Sequence, residues 1–451
     1  MKEKFLNAMQ DKDFSELFKK GGISFLIRIG GQIIGFLLTF VIAHYYGAQG
    51  LGNYVLAIVI LQIFTLMSKL GLDTFSIRFI ASFSKKNKWK SIQLFRKKIL
   101  ILISITSIVS SIVMYFLADI IVDHIDVKVE YVRLSSFFVL PMVFFMLHYQ
   151  SLRGLKRIAE FSFFYRMAQS TFSIVSIFII SAFIKSSNVP IYAYLTSVSI
   201  VSVLSFITYK YCFSKNAAFS TEENIEDLTV RNILKISIPL MLAQSVQFIM
   251  AWTDKLMIGN MMSAESVAVY GVAFRFSMGV SITLMAINSI SSPKFAEKFA
   301  SDDIKGMGKI AMQSAKMIFW TTLPLATILL IFPKFFMGLY GTDFVYTPLI
   351  LGAGFEALRW LIIGRIVNAL SGSVGNLMQM SGQQKLYMNI LIIGAVINVV
   401  LNYYLIPIYG IKGAAIASVV SLSFWNLTMV YMVKRKFGFS TIYIPFLNND
   451  E

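Results

Sequence analysis

Twelve apolar stretches constrain this chain more than any other feature, because each is about as long as the roughly 20 residues that a helix needs to cross a bilayer. They run at about 22 to 46, 51 to 77, 98 to 119, 131 to 152, 160 to 184, 190 to 212, 235 to 259, 265 to 292, 311 to 333, 346 to 370, 386 to 406 and 411 to 433. At that depth no water is present to satisfy backbone N–H and C=O groups, so each stretch is predicted to be a helix. Of the 451 residues 57% are apolar and 14% charged, too little polar surface to cover soluble domains. The expected fold is an all-α polytopic membrane protein.

The gaps between spans alternate in charge. One set (the N-terminus, 78 to 98, 153 to 157, 210 to 235, 294 to 309, Lys385 and 434 to 436) holds 28 lysines and arginines, while the other holds five: Lys128, Arg133, Lys185, Lys334 and Lys412. The positive-inside rule assigns the first set, and with it both termini, to the cytoplasm. The formal charge of +18 is thereby explained by topology, with no nucleic acid partner required. Residues 1 to 21 place Phe5, Met9, Leu17 and Phe18 among lysines, which suits a short amphipathic helix on an anionic membrane face or a solvated tail. The first span is too long for a signal-peptide core and lacks a small-residue cleavage site, so it is expected to be retained.

The longest gap between spans carries Glu222, Glu223, Glu226 and Asp227 and divides the spans into two sets of six. The expected organisation is an N-terminal segment (1–21), a six-helix bundle (22–212), a cytoplasmic linker (213–234), a second six-helix bundle (235–433) and a cytoplasmic tail (434–451). Shifting the chain by 216 positions lays Tyr270 on Tyr54, Lys294 on Arg78, Phe295 on Phe79 and Phe299 on Phe83, which reads as an internal duplication. With six helices per copy both halves enter the membrane in the same sense, so the pseudo-axis should run along the membrane normal.

Eight basic residues lie inside spans, namely Arg28, Lys69, Arg166, Lys255, Arg275, Lys316, Arg359 and Arg365, with three acids, Asp73, Asp254 and Glu356. Each charge at mid-helix costs about 2.5 to 3.5 kcal/mol in lipid, so they must face one another or water. Arg28, Lys316 and Arg365 sit near cytoplasmic ends and are expected to snorkel. Lys69 and Asp73, four apart, and Glu356 and Arg359, three apart, have the spacing of ion pairs. Arg275 and Arg359 lie roughly 15 to 20 Å from the outer end of their spans, beyond snorkelling, and Arg166 is shallower. These three are the candidate anion-binding residues. Asp254 and Lys255 point to different faces and cannot neutralise each other; near the outer end of their helix either is also in reach of headgroups. The excess of positive charge favours an anionic substrate.

Other features have mainly structural meanings. Gly31 and Gly35 allow close helix packing, and Pro141 and Pro324 bend their helices or free carbonyls. Cys212 is the only cysteine, and His44, His124 and His148 have no ligand spacing, so neither a disulfide within the chain nor a metal is expected. No phosphate loop, nucleotide motif or catalytic carboxylate pair is recognisable, which argues against ATP-driven work and against an enzyme.

The stretch 398 to 417, with Asn398, Leu401, Asn402, Pro407, Gly410, Gly413 and Ala414, resembles the junction of the last two helices in the polysaccharide (oligosaccharide) flippase family. Tyr46-Gly47-Ala48-Gln49-Gly50-Leu51-Gly52-Asn53-Tyr54, Asp254-Lys255-Leu256 with Tyr270, and Ser381-Gly382-Gln383-Gln384-Lys385 extend the resemblance over nearly the whole chain. It implies a MATE-like fold, with two parallel-repeat six-helix bundles around a central cavity in the bacterial cytoplasmic membrane. It also implies an alternating-access flippase for an undecaprenyl-pyrophosphate-linked oligosaccharide of O-antigen, capsule or related polysaccharide, working beside other polysaccharide-assembly membrane proteins. On that view Arg275, Arg359 and Arg166 meet the pyrophosphate, and Asp73, Lys69, Asp254, Lys255 and Glu356 line the cavity or couple H+ or Na+, with no other cofactor. A peptidoglycan lipid-precursor flippase, a multidrug antiporter of the same superfamily, and a membrane-embedded polymerase or ligase are the alternatives.

The charge asymmetry makes a direct prediction. In a Cys212→Ser background, an impermeant maleimide should label Lys85→Cys only in inside-out vesicles and Lys185→Cys only in intact cells; the opposite pattern would overturn the topology.

Overall fold

The computed structural model describes residues 12–217, 228–346 and 353–445. Of the expected elements, parts of the N-terminal segment (1–11), the linker (218–227), the tenth span (347–352) and the tail (446–451) lie outside the described residues.

The described chain is helical throughout. In order the helices are α1 (Lys12–Ser68), α2 (Leu72–Lys85), α3 (Trp89–Phe116), α4 (Ala118–His124), α5 (Val129–Ser136), α6 (Val139–Gly154) and α7 (Ile158–Phe163). A π-helical turn (Phe164–Ala168) leads into α8 (Gln169–Phe183), α9 (Val189–Ala217) and α10 (Val230–Met261). There follow α11 (Ala264–Val280), α12 (Ile282–Ala300), α13 (Ile304–Ile331), α14 (Pro333–Gly338), α15 (Gly354–Ser371), α16 (Val374–Met380) and α17 (Gln384–Phe437).

Seven stretches are long and apolar enough to cross a membrane unaided, and three bent pairs (α5 with α6, α11 with α12, α15 with α16) would each make one more, at bends of 55°, 44° and 47°. Two of the seven are too long for one span. In α1 the backbone leaves helical geometry at Gly47 (φ 68, ψ −175), and in α17 at Gly410 (φ 57, ψ −138). Both glycines occupy a region of backbone space that side-chain-bearing residues avoid, so each lets two spans join in a tight reversal. Divided there, the described residues supply twelve spans.

The surface is that of a protein solvated by lipid. On α3, Ile101, Ile105, Ile108, Ile112 and Phe116 form one helical stripe, each at least half exposed, while Ile99, Ile103, Ser107 and Met114 are buried on the other side. An apolar stripe of that length facing water would drive aggregation, whereas facing acyl chains it costs nothing.

By contacts the chain forms two compact units, one of Met1–Tyr46 with Asn53–Gln247, the other of Gly47–Gly52 with Phe248–Glu451. The division passes through α10. Residues on its first half pack on α2 in the first unit, where a Cβ on Gly71 would collide with the backbone of Ser237 and Met241. The duplicated positions have matching environments in their own units. Tyr54 and Tyr270 are buried, Phe79 and Phe295 are buried, and Arg78 and Lys294 are exposed. Phe79 stacks on Phe83 and Phe95, both at 4.0 Å between centroids, and Phe295 sits in a cluster with Met307, Leu377 and Val433, with Phe299 against it.

Between α12 and α13, Asp303 caps the second helix by accepting from the Gly306 amide at 2.8 Å. The Lys298 ammonium at 2.7 Å, and after it that amide, hold the Asp303 carboxyl below its ordinary range. The cap's contribution is therefore complete above about pH 4 and is lost as pH falls through the lowered value.

Gly47 isolates the backbone requirement, because a Cβ there would meet nothing within 4 Å. Gly47→Ala should lower stability by about 1 to 3 kcal/mol, read as a lower melting temperature of the solubilised protein. An unchanged melting temperature would mean that the reversal does not depend on glycine.

Candidate functional site

In the first unit, three arginines from three elements converge. The span Ile158–Phe183 is widened by one turn at Phe164–Ala168, and such an insertion re-aims the side chains that follow. Arg166 lies within that turn. The backbone of α1 rests directly on it: a Cβ at Gly31 would stand 2.8 Å from the Arg166 carbonyl oxygen and 2.9 Å from its Cβ. Arg28, three residues before Gly31, shares that face of α1. Arg153 comes from the last turn of α6. Together with Phe161, Ser162 and Tyr165 these residues line a cavity of about 230 Å³.

The Arg166 guanidinium lies 4.5 Å from the Tyr165 ring centroid, and that of Arg153 5.2 Å from Phe161. Aromatic faces steady the cations without neutralising them. No described carboxylate lines the cavity, and the nearby Glu160 is paired with Arg157 at 3.5 Å. Arg28 and Arg166 are close enough to repel each other. A cavity with three guanidinium groups and no lining acid is complementary to an anion, and planar forks suit phosphate oxygens best. Arg28, expected to snorkel, lines this cavity. Its identity as a lining residue depends on the face set by Gly31, a contact that depth along the span does not reveal.

Also in the first unit, Lys69 and Asp73 flank the break between α1 and α2, where Leu70 (φ 49) and Gly71 (φ 73) both take positive φ. The expected ion pair forms at 2.9 Å, with both side chains buried. Gln244 of α10 completes the ring, accepting from Lys69 Nζ and donating to Asp73 Oδ1 at 3.3 Å and Thr74 Oγ1 at 2.8 Å. The carboxylate, the ammonium and the amide satisfy one another, which is the signature of a structural device.

In the second unit, Asp254 lies buried inside a shell of donors and does not reach headgroups. Tyr270 donates to Oδ2 at 2.5 Å, and Ser418 donates to the same oxygen; Asn398 and Asn402 donate to Oδ1 at 3.0 and 2.7 Å. Asn398 and Asn402, four apart on α17, project from one face, and Asn402 also donates to the Asn398 Oδ1 at 3.1 Å. The Asn402 Oδ1 is buried and has no hydrogen-bond partner among the described residues. No described lysine or arginine forms an ion pair with Asp254. A cavity of about 150 Å³ opens beside it, lined by Phe274, Met278, Arg365, Asn398, Ser418 and Trp425 among others.

Lys255 turns away from Asp254, as the helical spacing predicts, and lies 4.0 Å from the Trp252 ring centroid and 5.3 Å from that of Phe274. Arg275 is half-buried within electrostatic range of Lys255. Arg359 is exposed, with its guanidinium 5.7 Å from the Phe355 centroid. Glu356 does not pair with Arg359; it pairs with Lys412 at 3.1 Å, because the start of α17's second half brings that ammonium alongside the first turn of α15. Neither Arg275 nor Arg359 lines the cavity in this unit. Arg365, also expected to snorkel, does, donating to the Met278 thioether at 3.0 Å and lying 5.4 Å from the Phe274 centroid.

These features define a polytopic α-helical membrane protein of the transporter type. Residues 17–299 match the model of the family described as "Polysaccharide biosynthesis protein", and 239–404 match that described as MatE. The first match covers more than half the chain, and the chain belongs to the polysaccharide biosynthesis protein family. A probable low-salt glycan biosynthesis flippase of Haloferax volcanii, Agl15, is 27% identical over 203 residues, 43% of this chain and 40% of that protein. This chain spans about half the length, or less, of the curated relatives it matches. Among solved structures, an inward-facing multidrug resistance MATE family transporter of the MOP superfamily superposes with a TM-score of 0.69 at 17% identity, over 92% of this chain and 98% of that one. The lipid II flippase MurJ, inward closed, gives 0.68 at 16%, over 91% and 87%. The likeness to both is one of fold. The neighbours are transporters and flippases, not catalytic enzymes.

The Lys69–Asp73 ring is tested by paired substitutions. Lys69→Met or Asp73→Asn alone should destabilise by about 3 to 5 kcal/mol, whereas the pair Lys69→Met with Asp73→Leu should recover most of it. If the paired variant is stable but inactive, the ring has a role in the working cycle.

Proposed function

We propose that this protein is a flippase that carries a polyprenyl-pyrophosphate-linked oligosaccharide across the membrane, with undecaprenyl as the carrier and an O-antigen-like or capsular repeat as the sugar. The observation that carries this reading is the cavity of Arg28, Arg153 and Arg166, which no described carboxylate lines. The pyrophosphate of such a substrate is a diester dianion, and it would accept charge-assisted hydrogen bonds from these forks while the apolar tail stays in lipid. Arg28 and Arg153 thus join Arg166 as substrate-binding residues. Arg275 and Arg359 remain candidates for a later position of the same group in an alternating-access cycle. The family match and the glycan flippase relative support the class of cargo, and the charge asymmetry supports a cytoplasmic-membrane protein with both termini inside. A multidrug antiporter fits less well, because an organic cation would be repelled by three arginines. A peptidoglycan precursor shares the pyrophosphate and differs only in what is attached to it.

Asp254 is the proposed site of a coupling cation, H+ or Na+. The supporting observation is the surplus of buried oxygen around it: two carboxylate oxygens, Tyr270 and Ser418 hydroxyls, and the partnerless Asn402 Oδ1. The amide orientations are set by the hydrogen-bond network, and rotating either amide presents a further hard oxygen to a cation.

Binding of undecaprenyl pyrophosphate to the purified protein tests the anion site. Arg28→Ala and Arg166→Ala should each weaken it about ten- to hundredfold, the equivalent of about 1.5 to 3 kcal/mol for a hydrogen bond to a charged group. Full binding by both folded variants would contradict the assignment. Separately, Asp254→Asn should leave that binding intact and abolish the dependence of transport on a cation gradient.

A further inference from the structure

Arg365 and Asp254 share one cavity of about 150 Å³ in the second unit, yet they are not paired. The guanidinium is only weakly held where it stands. It has five N–H donors, while the hydrogen bond it makes goes to the Met278 thioether, a weak acceptor, and its face lies over Phe274. The carboxylate, for its part, is surrounded by neutral donors alone. A half-buried cation and a buried anion that line one small cavity are drawn toward each other, and in this arrangement the four neutral donors compensate the carboxylate in the cation's place.

The other charged and titratable groups around Asp254 do not share this arrangement. Lys255 is held over Trp252 and Phe274 on another face of α10, Arg275 stands near Lys255, and Tyr270 already donates to Asp254. The Tyr270 hydroxyl is also within electrostatic range of Arg365. Arginine carries a long, flexible stem, and Arg365 and Asp254 line the same cavity.

We propose that Arg365 is a tethered counter-ion that competes with a monovalent cation for Asp254. With the cation bound at the carboxylate, the guanidinium is repelled onto Met278 and Phe274. When the cation leaves, the guanidinium turns to Asp254 and neutralises it. The carboxylate is then never left as an uncompensated charge in the interior, and cation release becomes coupled to a local rearrangement between α10, α11 and α15. This rests on reading Asp254 as the cation site.

The test is ²²Na+ binding to the purified full-length protein in nanodiscs. Wild type should bind saturably, Asp254→Asn should lose binding, and Arg365→Gln should bind about tenfold more tightly or better, since its competitor is gone. Met278→Leu keeps the charge but removes the acceptor that holds the guanidinium aside, and should weaken binding several-fold. Effects of opposite sign from two neighbouring substitutions are not expected of mere packing damage. Binding lost in Asp254→Asn but unchanged in both Arg365→Gln and Met278→Leu would overturn the counter-ion role and leave the cation site standing. If neither wild type nor Arg365→Gln shows Asp254-dependent binding, both the counter-ion role and a sodium site at Asp254 are wrong.

Discussion

Charge in a medium that cannot solvate it is the constraint on which this structure turns. Eight cations and three anions lie within the apolar spans, and leaving even half of the cations in lipid would cost on the order of 10 kcal/mol, comparable to the whole stability of a domain. The fold meets the constraint in three ways. Lys69 and Asp73 close a ring with Gln244; Lys255 and Arg359 lie over aromatic faces; Arg28 and Arg166 face a polar cavity. The first arrangement is complete in itself. The last is not, since it gathers like charges, and that incompleteness is what points to a ligand.

The spans and their number were legible because hydrophobic length is a local property, and the reversals at Gly47 and Gly410 fall in two of the stretches that carried the family resemblance. The Lys69–Asp73 pair was legible from spacing within one face. The sites themselves were less so. Arg28 and Arg365 looked harmless by depth, but the side of the helix on which a residue lies decides whether it can snorkel, and that side is set by partners far away in sequence. The Glu356 partner came from α17 rather than from its own helix for the same reason. Asn398 and Asn402 were noticed as part of a resembling stretch, and their i, i+4 spacing in an apolar span was a signal of a shared polar partner that could have led to Asp254. Nothing in the residues 164–168 announces a π-helical turn, so the re-aiming of Arg166 was out of reach.

The two units place opposite chemistries on a duplicated plan. The first holds an arginine cavity suited to an anion, the second a carboxylate in an oxygen-rich shell suited to a cation. The α10 segment contributes to each, giving Gln244 to the ring in the first unit and Asp254 to the shell in the second. The positions that the 216-residue shift aligns agree in burial, Tyr54 with Tyr270 and Phe79 with Phe295, whereas the polar residues of the two sites differ between the units.

The central claim is that this chain moves a lipid-linked oligosaccharide between leaflets. The most direct measurement deletes the protein in its host and probes the sugar units with a membrane-impermeant reagent. Units that are protected in the deletion strain and become accessible again on complementation are the predicted result; units that reach the outer face without this protein would contradict it.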